Sequence, residues 1–190
     1  MNFRFGWRRL KRRFKPIPPL STEMLQELKQ AGLAVVLIDM QKGFVGNLKS
    51  GDKGRIVPNQ IAVLRHCREN NIPIIVLEFK GYGETIKEIR VELGDIQQYK
   101  TIIKGYDNGF KKTNLDQHLR SLNISTLFLM GINADCCVKR TANGALRRDY
   151  QIIISNDVIS GQSGHSSDNS IPWYEKKGAL VLPVTSFLET

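Results

Sequence analysis

Leu33-Ala-Val-Val-Leu-Ile38 is six apolar residues in succession, with no polar residue at alternate positions. A strand of this kind has no face to offer water, so it must be covered on both sides. That requirement points to a parallel sheet layered between helices. The same kind of run recurs in Pro73–Phe79, in Leu127–Met130 and in Tyr150–Ser155. Shorter candidates are Thr101–Lys104 and Ala179–Leu182. Helical segments are expected between them. Ser21 is a candidate N-cap for a helix with Met24, Leu25 and Leu28 on its buried stripe and Gly32 as its stop. Further helices are expected at about Pro58–Asn70, within Thr85–Leu93, over Asn114–Leu122, from Val138 onward and over Ile171–Lys177, with a short one at the C-terminus. Residues 45–56, rich in Gly, Lys, Asn and Ser, read as a loop. Residues 160–170 read as a polar loop long enough to cover a site. Strands alternating with helices predict an α/β fold, a three-layer αβα sandwich around a central, mostly parallel, doubly wound sheet.

The chain has 190 residues, enough for one domain with a sizeable core. Its net charge of +10 is unevenly placed. Arg4, Arg8, Arg9, Lys11, Arg12, Arg13 and Lys15 supply +7 of it, which leaves +3 for the rest. The domain is therefore expected over 21–190, with residues 1–20 as a basic extension, and no nucleic-acid partner is expected for the domain. Phe3, Trp7, Leu10 and Phe14 recur at helical spacing beside the basic residues, ahead of Pro16, Pro18 and Pro19. The extension reads either as an amphipathic segment that meets a membrane surface or an acidic partner or acts as an organelle-targeting signal, or as a disordered solubilising tail or a packing arm for a partner subunit. No apolar run approaches the ~20 residues that span a bilayer. Three cysteines, two of them adjacent, do not make a disulfide framework, so a reducing, cytoplasmic compartment is expected.

The run Leu127–Met130 turns at Gly131 and passes into a helix in which Val138, Thr141, Ala142, Ala145 and Leu146 share a face. Cys137 stands at the first turn of that helix. Unpaired N–H groups and the positive end of the helix dipole converge there and lower a thiol from its usual value of about 8.5. A lone cysteine is otherwise a small core hydrophobe. Small residues Ala142, Gly144 and Ala145 suit close packing on the sheet, since Gly144 costs the helix roughly 1 kcal/mol against Ala. Asp39 closes the first strand and is either a base or an N-cap for the next turn. Lys104 closes another strand and is a site residue or an exposed cation. Glu78 either faces a pocket, where it would meet a cationic group, or is solvated. Cys67 reads as a packed thiol. In a parallel sheet, strand C-termini share one edge, where ligands bind. Asp39, Lys104 and Cys137, remote along the chain, all fall at or just beyond such ends and are thereby candidates to face one crevice.

On these residues the sequence resembles the isochorismatase-like cysteine hydrolase family. The matching pieces are Leu37-Ile-Asp39-Met-Gln41 with Phe44, Ile103-Lys104 with Phe110, and Gly131-Ile-Asn-Ala-Asp-Cys-Cys137-Val138 with Thr141, Ala142 and Ala145. The resemblance covers roughly 30–185. It implies a catalytic triad of Asp39, Lys104 and Cys137. It also implies a cis peptide at Ile132–Asn133, with backbone N–H groups of Cys137 and of Asn133 or Ala134 binding an oxyanion. Ala134 departs from the threonine usual in the family. The implied activity is hydrolysis of a small amide through a thioester, with Phe44, Phe110 and Glu78 at the substrate pocket, in a homo-oligomer. Family members that cleave a vinyl ether lack the cysteine. Nicotinamidases of the family hold a metal through histidines, whereas this chain has only His66 between Asp39 and Lys104. No metal and no cofactor are therefore expected. Two other readings compete. One is a recruited scaffold docked by its basic tail to a membrane or acidic partner. The other is a redox sensor using Cys136 and Cys137.

Overall fold

A computed structural model of the chain describes residues 27, 30–94, 99–161 and 167–189. The basic extension, most of the helix expected after Ser21 and residues 162–166 of the polar loop lie outside the described residues. The six strands are β1 (Leu33–Ile38), β2 (Ile74–Phe79), β3 (Tyr99–Lys104), β4 (Thr126–Ile132), β5 (Gln151–Ser160) and β6 (Leu180–Val181). They form one sheet in the order β3-β2-β1-β4-β5-β6. Every pairing is parallel. The helices around it are α1 (Lys42–Val45), α2 (Ser50–Glu69), α3 (Lys87–Gly94), α4 (Leu115–Ser121), α5 (Cys137–Leu146), α6 (Ile171–Lys176) and α7 (Val184–Leu188).

The all-apolar runs sit where their composition requires. Every residue of β1 and of β4 is buried. Chain order reverses at β1, since β2 and β3 extend the sheet on one side and β4 to β6 on the other. A crevice opens at the C-terminal end of such a switch point. Here β1 and β4 lie side by side, with Ile38 opposite Gly131. Gly131 has φ +129°, and a Cβ on it would collide with the Ile38 carbonyl oxygen. Only glycine admits that approach.

Two elements exceed the expected bounds by several residues, and β3 and β4 by two or three. Helix α2 begins at Ser50, inside the stretch expected as a loop, and carries Pro58 in its interior. Propensity disfavours this start, but tertiary contacts outweigh it. Ile56 and Val57 are buried. The Arg55 guanidinium donates to the carbonyls of Asn156 and Ile159, and Gln60 Nε2 donates to Val158 O at 2.8 Å. Those carbonyls belong to the part of β5 beyond Ser155. The strand continues to Ser160 because its ladder to β4 shifts between Leu129 and Gly131. The bulge absorbs Asn156 and Asp157, the polar residues that made the strand look shorter.

Candidate active site

Asp39 follows β1 directly and has φ +55°, which turns the chain away from the strand direction. Lys104 ends β3, two strands away. Strands lie about 4.8 Å apart, so a side chain must cross β2 to reach Asp39. The lysine stem is long enough. Its Nζ passes 4.3 Å from the ring centroid of Phe79, at the end of β2, and donates to Asp39 Oδ2 at 2.7 Å. The Lys104 side chain is 0% exposed and that of Asp39 is 1% exposed, so water screens neither charge. The other carboxylate oxygen, Asp39 Oδ1, is buried and has no N–H or O–H donor among the described residues. The Cys137 thiol lies close enough to Asp39 for each to influence the other's ionisation. The three residues expected to meet do so in one crevice.

Cys137 is the first residue of α5, and Cys136 is its N-cap. The amides of Cys136 and Val138 both donate to Asn133 O, at 3.0 and 3.1 Å. The Cys137 amide, at the first helical position, has no intrahelical acceptor. Ala134 N–H donates to Ser160 O at 2.8 Å, so that amide is already occupied. Tyr174, fully buried on α6, donates its hydroxyl to Ala134 O at 2.6 Å and fixes the same turn. The bond between Ile132 and Asn133 is a non-proline cis peptide.

Burial raises the Cys137 thiol well above the ordinary range, and the negative charge of Asp39 raises it further. Lys104 opposes both effects and does not overcome them. The helix terminus favours the charged sulfur, and burial acts in the opposite direction. Asp39 is likewise raised by burial, with Lys104 pulling the other way.

Phe44 sits against Phe79 and Tyr82, with ring centroids at 6.3 and 4.2 Å, and Phe79 carries Lys104 on its face. That cluster forms one wall beside the Asp39–Lys104 pair. Gln41, 1% exposed, holds the wall in place. It accepts from Phe79 N at 2.6 Å and donates to Phe79 O at 3.0 Å and Gly83 O at 2.5 Å. Glu78 accepts from the amide and hydroxyl of Thr85, at 2.9 and 2.6 Å. It braces the turn after β2, the task its partly buried strand-end position suits. Phe110 stands apart from the aromatic wall. Its ring faces Tyr150 at 5.8 Å and the Arg148 guanidinium at 4.9 Å. Tyr150 lies past the end of α5, and the Arg148 guanidinium turns back to donate to Gly144 O at 2.9 Å. The loop after β3 runs along α5, from Asp107 beside Cys137 to Phe110 beside Tyr150. His66 packs edge-on to Phe187 at 5.3 Å, on the α2–α7 side of the molecule.

Asp107 was not anticipated. Its Oδ1 lies 3.8 Å from Cys137 Sγ, and its Oδ2 pairs with Arg140 Nε at 3.3 Å. The loop that carries it is tied to α5 through Thr141, which donates to Asp107 O and accepts from Gly109 N. Gly144 serves the same contact: a Cβ there would collide with the Asn108 side chain. Its reason is therefore the loop, not the sheet. An acid two residues before a glycine reads in sequence as turn chemistry, which hid its proximity to the thiol. A cavity of about 460 Å³ lined by Asn156, Ile171, Val181 and Leu182, among others, lies beside β6, and none of Asp39, Lys104 and Cys137 lines it.

A parallel sheet with an acid, an ammonium and a thiol gathered at its switch point defines an α/β protein of hydrolase type. Residues 33–186 match the isochorismatase domain, and the chain belongs to the isochorismatase family. It is 30% identical over 181 residues to the uncharacterized isochorismatase family protein YwoC of Bacillus subtilis, covering 82% of this chain and 92% of that one. It is 35% identical over 88 residues to the nicotinamidase of Escherichia coli, covering 45% of this chain and 41% of that one. The crystal structure of N-carbamoylsarcosine amidase from Thermoplasma acidophilum superposes with a TM-score of 0.71 at 28% identity, covering 80% and 96% of the two chains. Family members are hydrolases and include amidases.

Proposed function

We propose that the chain is a cysteine-dependent hydrolase that cleaves the C–N bond of a small, non-peptide amide through a thioester. The observation that carries this reading is the buried Lys104–Asp39 contact with the Cys137 thiol beside it. In the resting site the proton stays on sulfur and the carboxylate is held by Lys104. Substrate binding brings the carbonyl to Sγ, Asp39 takes the thiol proton, and the sulfur attacks. The amides of Cys137 and Asn133 receive the negative charge that develops on the carbonyl oxygen; such donors are worth about 2.7–4 kcal/mol each. Asp39 returns its proton to the departing nitrogen as the C–N bond breaks. A thioester remains. Asp39, again a carboxylate, removes a proton from water, which attacks the thioester and frees the acid and the thiol. Lys104 keeps the carboxylate oriented throughout and offsets the negative charge in the cleft.

The presence of amidases among the relatives supports C–N hydrolysis over other chemistry of the fold. The test is ammonia release from a panel of small primary amides and ureido compounds. The native chain is expected to turn over at least one of them, and Cys137→Ala is expected to lose nearly all turnover while keeping its circular dichroism. Retention of most activity by Cys137→Ala removes the cysteine as nucleophile.

A further inference from the structure

The ligand-capable atoms of Asp107, Cys136 and Cys137 all lie within 4.8 Å of one another. A zinc ion bound tetrahedrally, with sulfur at about 2.3 Å and carboxylate oxygen at about 2.0–2.2 Å, spaces a sulfur and an oxygen roughly 3.5 Å apart. Cys137 Sγ and Asp107 Oδ1 stand 3.8 Å apart before any metal draws them in. The carboxylate is already divided in the manner of a metal ligand. Oδ2 is held by Arg140, Oδ1 faces the sulfur, and the backbone of the same residue accepts from Thr141. Partners of this kind orient a ligand and are worth 10–100-fold in metal affinity. Cys136 and Asp107 are partly exposed while Cys137 is buried, so the three donors form a face reachable from solvent. Two thiolates and one carboxylate suit a soft divalent ion.

We infer that Asp107, Cys136 and Cys137 form an inhibitory site for a thiophilic divalent cation of the zinc class. The ion occupies three protein donors and keeps one position for water. Binding exchanges two thiol protons, released to solvent, for two metal–sulfur bonds, with no change of oxidation state. The ion takes the sulfur that the proposed hydrolysis needs, so loaded and active forms exclude each other. The inhibitory consequence rests on that reading; the site itself does not.

The test is calorimetric titration of the metal-free, reduced chain with zinc chloride, paired with cobalt(II) spectroscopy. One ion per chain is expected, with thiolate-to-cobalt charge transfer from two sulfurs. Cys136→Ser and Asp107→Asn are each expected to weaken zinc binding at least tenfold, and Arg140→Gln to weaken it less. Thermal melting without metal identifies variants that fail to fold, and Cys136→Ala supplies a second substitution at that position. No binding, or binding unaltered by both Cys136→Ser and Asp107→Asn, overturns the site. These readouts need no substrate, so they stand or fall separately from the amidase assay. If zinc binds at this site and leaves turnover intact, the assignment of Cys137 as nucleophile fails and the metal site survives.

Discussion

Asp39 acts on Cys137 in two opposed ways, and a single substitution separates them. Its negative charge raises the thiol, yet in the proposed cycle it is also the base that removes the proton when substrate arrives. Asp39→Asn deletes the charge and leaves the Lys104 ammonium beside the sulfur. Ionisation of the thiol then becomes easier, so the thiolate fraction at neutral pH rises. Alkylation of Cys137 by iodoacetamide at pH 7 is therefore expected to be several-fold faster in Asp39→Asn than in the native chain. Ammonia release is expected to collapse in the same variant. The measurement is adduct formation at Cys137 by peptide mass spectrometry against time. Slower alkylation in Asp39→Asn would show that the carboxylate does not oppose the thiolate. Asp39, Lys104 and Cys137 were legible in the sequence because each ends or follows an apolar run, where a charged or nucleophilic residue has little structural reason to be. Asp107 and Tyr174 were not. An acid in a turn and a tyrosine in a short helix are both ordinary there, and only tertiary contact brings one to the sulfur and the other to the Ala134 carbonyl.

Among the elements, α5 and the turn before it do most of the positioning. Helix propensity alone says that Gly144→Ala gains about 1 kcal/mol. The Asn108 side chain occupies the space the new methyl would take. Overpacking of this kind costs about 1–3 kcal/mol, so the net change is expected to be destabilising. Chemical denaturation of Gly144→Ala reads the sign, and a gain in stability would contradict the packing of the loop on α5. Tyr174→Phe leaves the Ala134 carbonyl without its donor in a buried setting, a loss of about 1–3 kcal/mol. Lower kcat with little change in KM is expected alongside if Cys137 is the nucleophile proposed, because this turn leads into it. The element boundaries were less legible than the residues. The α2 start was hidden by Gly51, Gly54 and Pro58, which local propensity reads as loop. The fold overrides that preference through Arg55 and Gln60, whose side chains serve the carbonyls of β5. The end of β5 was hidden by Asn156 and Asp157, which a bulge accommodates. The strands themselves were legible because an unbroken apolar run has few other uses.

For the whole molecule, the sheet begins at Leu33 and the family match begins at the same residue. The charge carried by residues 1–20 lies before both. Removal of residues 1–20 is expected to leave ammonia release and thermal stability unchanged. If the extension docks to anionic surfaces, co-sedimentation with anionic liposomes disappears with it and, in the full chain, weakens as salt rises and shortens the Debye length. Loss of turnover on truncation would place the extension in the catalytic unit. No described helix is long and apolar enough to cross a membrane.

In the proposed cycle a sulfur atom of this chain becomes covalently bound to the acyl half of an amide. Rapid acid quench during turnover, followed by intact-mass and peptide analysis, reads that bond directly. A mass increase equal to the acyl group is expected, confined to Cys137, removed by hydroxylamine and absent from Cys137→Ala. Turnover with no adduct at any quench time, or an adduct on Cys136 or Cys67 that persists in Cys137→Ala, would contradict it.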